Sequence, residues 1–79
     1  MTREELYERL NNVFRDVFDD SSITINDKTT AADIEKWDSL EHINLIVTMQ
    51  KEFGMKFKMG EVRTMKNVGE MADIIIARI

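Results

Sequence analysis

The sequence predicts an all-α fold: a small bundle of three longer helices and one short helix. Three observations point to it. The 79 residues contain no proline and only three glycines, so little interrupts a helix. Three stretches repeat apolar residues at helical spacing, and each opens on a capping residue with glutamate three positions later: Thr2 and Glu5, Asp38 and Glu41, Asn67 and Glu70. No segment alternates long enough to make a strand; Lys56-Phe57-Lys58 is too short.

The first helix is expected from Thr2 to Phe18. Leu6, Leu10, Val13 and Val17 form its apolar stripe, widened by Phe14 and Phe18, while Arg3, Glu4, Glu8, Arg15 and Asp16 supply the solvated side. Tyr7 reads as a packing or rim aromatic. Asp19-Asp20-Ser21-Ser22 ends the helix. The run from Ser21 to Lys36 has few apolar residues and no sustained period, which predicts a long loop pinned to the core by Ile23, Ile25 and Ile34. Loops of that length in a small domain are often functional. Asp19, Asp20 and Asp27 lack the spacing and the glycine of a calcium loop and read as solvated turn residues.

The second helix is expected from Ser39 to Phe53. Leu40, Ile43, Ile46, Val47 and Phe53 make a broad apolar face, extended by Leu45 and Met49, against a polar stripe of Glu41, Asn44, Thr48 and Lys51. That is more apolar surface than one core contact needs. Either the helix is wedged between two others, or part of the face is open to a partner. Gly54 suits the C-cap, and Met55 to Gly60 reads as loop. Glu61 to Lys66 fits a short third helix with Val62 and Met65 turned inward. Asn67 caps a last helix on which Val68, Met71, Ile75 and Ile79 keep the period. Ile74 and Ile76 would suit a strand as well, but the Asn-x-x-Glu start and the lack of a partner strand decide for helix.

Length and composition bound the function. The chain, residues 1–79, makes one domain with a small core. A net charge of −4 and a pI near 4.9 make nucleic acid and anionic membranes poor partners. The charged N-terminus is no signal peptide, and no apolar run approaches the ~20 residues of a membrane span, so a cytoplasmic monomer without membrane insertion is expected. The absence of cysteine removes disulfides, thiolate metal sites and a thiol nucleophile. One histidine and scattered carboxylates argue against a metal site. Gly54, Gly60 and Gly69 match no phosphate-cradling loop. Ser39 and His42 lie three apart on one helix, but a hydrolase would need an orienting acid, an oxyanion hole and a pocket. No catalytic residue is assigned, and the chain is not expected to be an enzyme.

The stretch from Trp37 to Leu45 carries the functional signal. Asp38 is a good N-cap, and Glu41 could reach back to it. Ser39 then falls at the first helical position, beside backbone N–H groups that lack helical partners. These donors and the positive end of the helix dipole favour a phosphate there.

Asp38-Ser39-Leu40, followed by an apolar helix ending in Lys51-Glu52-Phe53-Gly54, resembles the acyl carrier proteins over nearly the whole chain and at matching length. The resemblance implies an acyl-carrier-like bundle with a long loop between its first two helices. It implies that Ser39 is the attachment point of 4′-phosphopantetheine, donated by coenzyme A through a phosphopantetheinyl transferase. Acyl groups would then travel as thioesters between acyl-loading and acyl-transfer or condensing enzymes, in fatty-acid, polyketide or other specialised pathways. Asp38, Leu40, Glu41, Ile43, Asn44, Val47 and Trp37 become the expected partner-binding residues, with a hydrophobic anchor as the plainer role of Trp37.

Two departures from the family pattern stand out. The second helix is weakly charged, with Glu41 and Glu52 against Lys51, and has Asn44, Thr48 and Gln50 where acids are frequent. Trp37 replaces the small residue that often precedes the Asp-Ser pair. Both suggest a specialised carrier rather than the housekeeping one. The alternatives are an aminoacyl or peptidyl carrier, which shares the serine and the bundle, and an unmodified helical interaction module.

Overall fold

A computed structural model describes residues 1–79. Its helices are α1 (Arg3–Phe18), α2 (Ser39–Phe53), α3 (Met59–Thr64) and α4 (Val68–Arg78), with one 3-10 turn at Ala31–Asp33 in the loop between α1 and α2. The all-helical expectation holds.

Each longer helix starts where its capping residue stands. The side chains of Thr2, Asp38 and Asn67 accept from the N–H groups of Glu5 (3.1 Å), Glu41 (2.8 Å) and Glu70 (2.9 Å). The return half of each expected box is absent. Glu5 takes the Thr2 hydroxyl at 3.2 Å, Glu41 takes the Asn44 amide at 3.1 Å, and Glu70 accepts from the Lys66 N–H, one residue before the cap. The return bond is made instead by Glu61, whose carboxylate accepts from the Lys58 N–H at 2.7 Å. That bond makes Lys58 the N-cap of α3, so this helix spans Met59–Thr64 rather than the expected Glu61 to Lys66. It ends at Met65, whose backbone is extended.

The core is built from α1 (Leu6, Leu10, Val13, Phe14, Phe18), α2 (Leu45, Ile46, Met49, Phe53) and α4 (Val68, Met71, Ala72, Ile75), closed by Ile25 and Met55. The short α3 contributes no fully buried residue; Val62 and Met65 pack against the edge. Ile79 lies beyond the end of α4 and is exposed, because the helix stops at Arg78.

The loop from α1 to α2 is fastened at both ends of its path. Ile25 is buried and Ile23 and Ile34 pack on the core, as expected. The Asn11 side chain accepts from the Ile25 N–H at 2.8 Å. Further on, the loop carbonyls of Thr29 and Asp27 accept from Val68 (2.9 Å) and Gly69 (3.0 Å), so loop backbone caps the start of α4. Gly69 is required by this approach: a Cβ there would sit 2.8 Å from the Asp27 oxygen.

Asp27 is also more than a solvated turn residue. Its carboxylate holds Arg3 at 2.7 Å and accepts from the Tyr7 hydroxyl, while Arg3 reaches Asp73 of α4 at 2.8 Å. Asp20 binds Ser22, and Asp19 ends α1 in the left-handed region at φ 50°.

Candidate functional site

The site is built where the loop meets α2. Ser39 is the first residue of α2 and is exposed. Asp38 spends its carboxylate on the Glu41 N–H, and its carbonyl accepts from the His42 N–H at 2.9 Å. The Asp38 N–H is bonded to the Lys36 carbonyl at 3.0 Å. The amides of Ser39 and Leu40 are left as the orphan donors of the first turn, at the positive end of the helix. A hydroxyl at that place, exposed and flanked by two such amides, fits a phosphate ester.

Trp37 anchors the turn. It is half-buried, edge-on to Phe14 at 5.4 Å and tilted against Phe18 at 6.1 Å. These contacts fix the direction in which the chain enters α2. Of the residues expected to meet partners, Trp37 is therefore turned to the core.

The other expected contact residues lie outside. Leu40, Ile43 and Val47 are 67%, 58% and 43% exposed. Their spacing of three and four puts them on one stripe of α2, opposite Leu45, Ile46, Met49 and Phe53. Of the two explanations for the broad apolar face, the helix uses the open one. Asn44 is exposed and tied to Glu41. Glu52 is turned away toward α1, where Arg9 binds its carboxylate at 2.8 Å and its carbonyl at 2.6 Å. The accessible stripe is accordingly apolar, with little acidic charge.

A cleft of about 500 Å³ opens beside Ser39. Trp37, Asp38 and His42 line one wall and Val62, Arg63 and Met65 the other, with Met71 at its base. A second hollow, of about 560 Å³, lies under the α1–α2 loop and includes none of the residues around Ser39. Sequence reading did not single out His42 as part of this cleft. Its signal was available in hindsight: on α2 it falls one turn before Leu45 and Ile46, on the inner side.

His42 does not serve Ser39. Its Nδ1 accepts from the Trp37 indole N–H at 3.0 Å, and its Nε2 lies 3.1 Å from the Val62 carbonyl. Both ring nitrogens are engaged elsewhere, so the two residues do not form a nucleophile–base pair.

No family model and no curated protein matches the sequence. Among solved structures, the chain is similar to the solution structure of a holo acyl carrier protein from Geobacter metallireducens. The two are 44% identical, with a TM-score of 0.86, over 91% of this chain and 83% of that one. Identity and superposition at that level, over most of both chains, establish common descent: the chain belongs to the acyl carrier protein family.

Proposed function

We propose that this protein is a non-catalytic carrier that holds acyl groups as thioesters on a 4′-phosphopantetheine arm attached to Ser39. The observation that carries the reading is the exposed Ser39 hydroxyl at the first position of α2, presented by the Asp38 cap and the Trp37 anchor. Ser39 supplies the acceptor oxygen. Its Oγ–phosphorus bond forms as the pyrophosphate bond of coenzyme A breaks, and adenosine 3′,5′-bisphosphate leaves. The hydroxyl proton passes to a base of the phosphopantetheinyl transferase, which also brings the magnesium. The orphan amides of Ser39 and Leu40 stabilise the phosphodiester charge. The arm, once bound, supplies the thiol that this chain lacks.

The partners are the transferase and enzymes that load, transfer or condense acyl groups. Asp38, Leu40, Glu41, Ile43, Asn44 and Val47 form the surface they meet. With Glu52 occupied by Arg9, that surface relies on apolar contact more than on acidic charge. This supports a specialised carrier. The protein is expected to fail as the sole carrier for general fatty-acid elongation in a carrier-depleted cell; full growth would contradict that. No helix is long and apolar enough to cross a membrane.

The distinguishing experiment for function is Ser39→Ala in the protein's own pathway. A carrier loses all cargo loading, whereas an interaction module keeps working.

A further inference from the structure

Charge is divided unevenly along this acidic chain. Residues 51–66 carry five basic side chains, Lys51, Lys56, Lys58, Arg63 and Lys66, against two acidic ones, Glu52 and Glu61. The other residues carry six basic side chains against thirteen acidic ones. Both acids of the basic segment are engaged from outside it: Arg9 of α1 holds Glu52, and Arg78 of α4 holds Glu61. None of the five cations forms an ion pair, and all five are exposed.

The segment runs back along α2. The Phe57 N–H donates to the Gln50 side chain at 3.0 Å, near the end of that helix, and the Val62 carbonyl lies 3.1 Å from His42, near its start. Its cations therefore flank the outer apolar stripe at both ends. Lys51 and Lys56 share a hollow with Val47 at the end of α2. Arg63 and Lys66 line the cleft beside Ser39 at its start. Met59, 72% exposed, adds apolar surface on α3. The acids on this side are Asp38 and Glu41, and both are bound within the first turn, to the Glu41 N–H and the Asn44 amide.

We propose that this face docks enzymes whose carrier-facing surface has an apolar centre and an acidic rim. Leu40, Ile43 and Val47 fill the centre, and the lysines and Arg63 meet the rim. Opposite charge there steers the approach and fixes the orientation in which Ser39 is presented. The proposal names the kind of partner for the carrier described above and rests on that reading of Ser39. An anionic bilayer fits less well: its charge extends past the basic face and repels the rest of the chain, where acids outnumber bases.

Two amphipathic helical peptides test the surface, identical in length and apolar face, one rimmed with glutamate and the other with lysine. Each is titrated into the isotope-labelled, unmodified protein and followed by NMR, so the outcome does not depend on Ser39. The glutamate peptide should bind about tenfold more tightly, the joint effect of several modest exposed charge contacts. It should shift the amide signals of Ile43, Val47, Lys51 and Lys56. The preference should fade at about 0.5 M salt. Lys51→Gln/Lys56→Gln should lose most of it. Lys28→Glu removes as much positive charge from the α1–α2 loop and should keep it. None of these lysines is ion-paired, so the variants should fold, and circular dichroism checks that they do. No binding of the glutamate peptide, equal or tighter binding of the lysine peptide, or a glutamate peptide seated elsewhere on the protein overturns the proposal. So does binding to phosphatidylglycerol vesicles without binding of the glutamate peptide.

Arm transfer carries the test to an enzyme. A phosphopantetheinyl transferase with a basic carrier-facing surface should modify Lys51→Glu/Lys56→Glu with a KM about tenfold below that for the wild type. An unchanged or higher KM overturns the proposal. Modification of neither protein counts against Ser39 as the attachment site, and the peptides still decide the surface.

Discussion

Asp38 does two jobs at one position. Its side chain caps α2, and its geometry leaves Ser39 exposed with unpartnered amides on either side. Asp38→Ala should therefore cost about 0.5–2 kcal/mol of stability, seen as a fall in Tm of about 4–8 °C per kcal/mol for a domain of this size. It should also slow arm transfer, because the turn that presents Ser39 loosens. Asp38→Asn, which keeps an accepting oxygen, should restore most of the stability in the same thermal melt. Capping residues could be read from the sequence, since a Thr, Asp or Asn before an apolar run has one obvious backbone partner. The glutamates three positions later could not. Their side chains are long enough to reach several donors, and Asn44, Lys66 and the Thr2 hydroxyl compete with the cap N–H.

Helix α2 divides its apolar residues between two opposite faces. Leu45 is fully buried, so Leu45→Ala should cost about 2–5 kcal/mol in urea unfolding. Ile43→Ala should stay within about 0.5 kcal/mol of wild type in the same assay. Its effect should fall on partners, with an order of tenfold loss in transfer or loading efficiency, as for one apolar contact in an interface core. Equal destabilisation by both substitutions would mean that the outer stripe is packed after all. The sequence announced surplus apolar surface but not which part was surplus. That depends on where α1 and α4 stand, which periodicity along α2 alone does not contain. The boundary of α3 escaped for a related reason: Glu61 read as the first helical residue, but it reaches back to Lys58 and starts the helix earlier. Gly69 looked ordinary in sequence, yet the loop backbone passes against it. Gly69→Ala should destabilise by about 1–3 kcal/mol, measurable as a lower Tm.

Across the whole molecule, charge ties distant parts of a small core together. Arg3 joins the loop to α4 through Asp27 and Asp73, and Arg78 joins α4 to α3 through Glu61. The Tyr7 hydroxyl and then Arg3 hold the Asp27 carboxyl below the usual carboxylate range, and Arg78 and the Lys58 N–H do the same for Glu61. Burial, followed by the bond to Asp27, pushes the Tyr7 phenol up to about 12. Carboxylates lowered by folding contribute stability above their unfolded-state values and lose it as the pH falls through the folded-state ones. Acid unfolding should therefore steepen below the ordinary carboxylate range, and Asp27→Asn should flatten that limb. Asp27 is exposed and Glu61 half-buried at the surface, so the effect should be modest and weaken with salt. An acid limb unchanged by the substitution would remove this cluster from the account.

Intact mass shows whether Ser39 carries the arm. The folded protein would be incubated with coenzyme A, magnesium and a broad-specificity phosphopantetheinyl transferase, beside Ser39→Ala. The wild type should gain one phosphopantetheine and the variant none. No gain in the folded wild type with several transferases, or the same gain in Ser39→Ala, would contradict it.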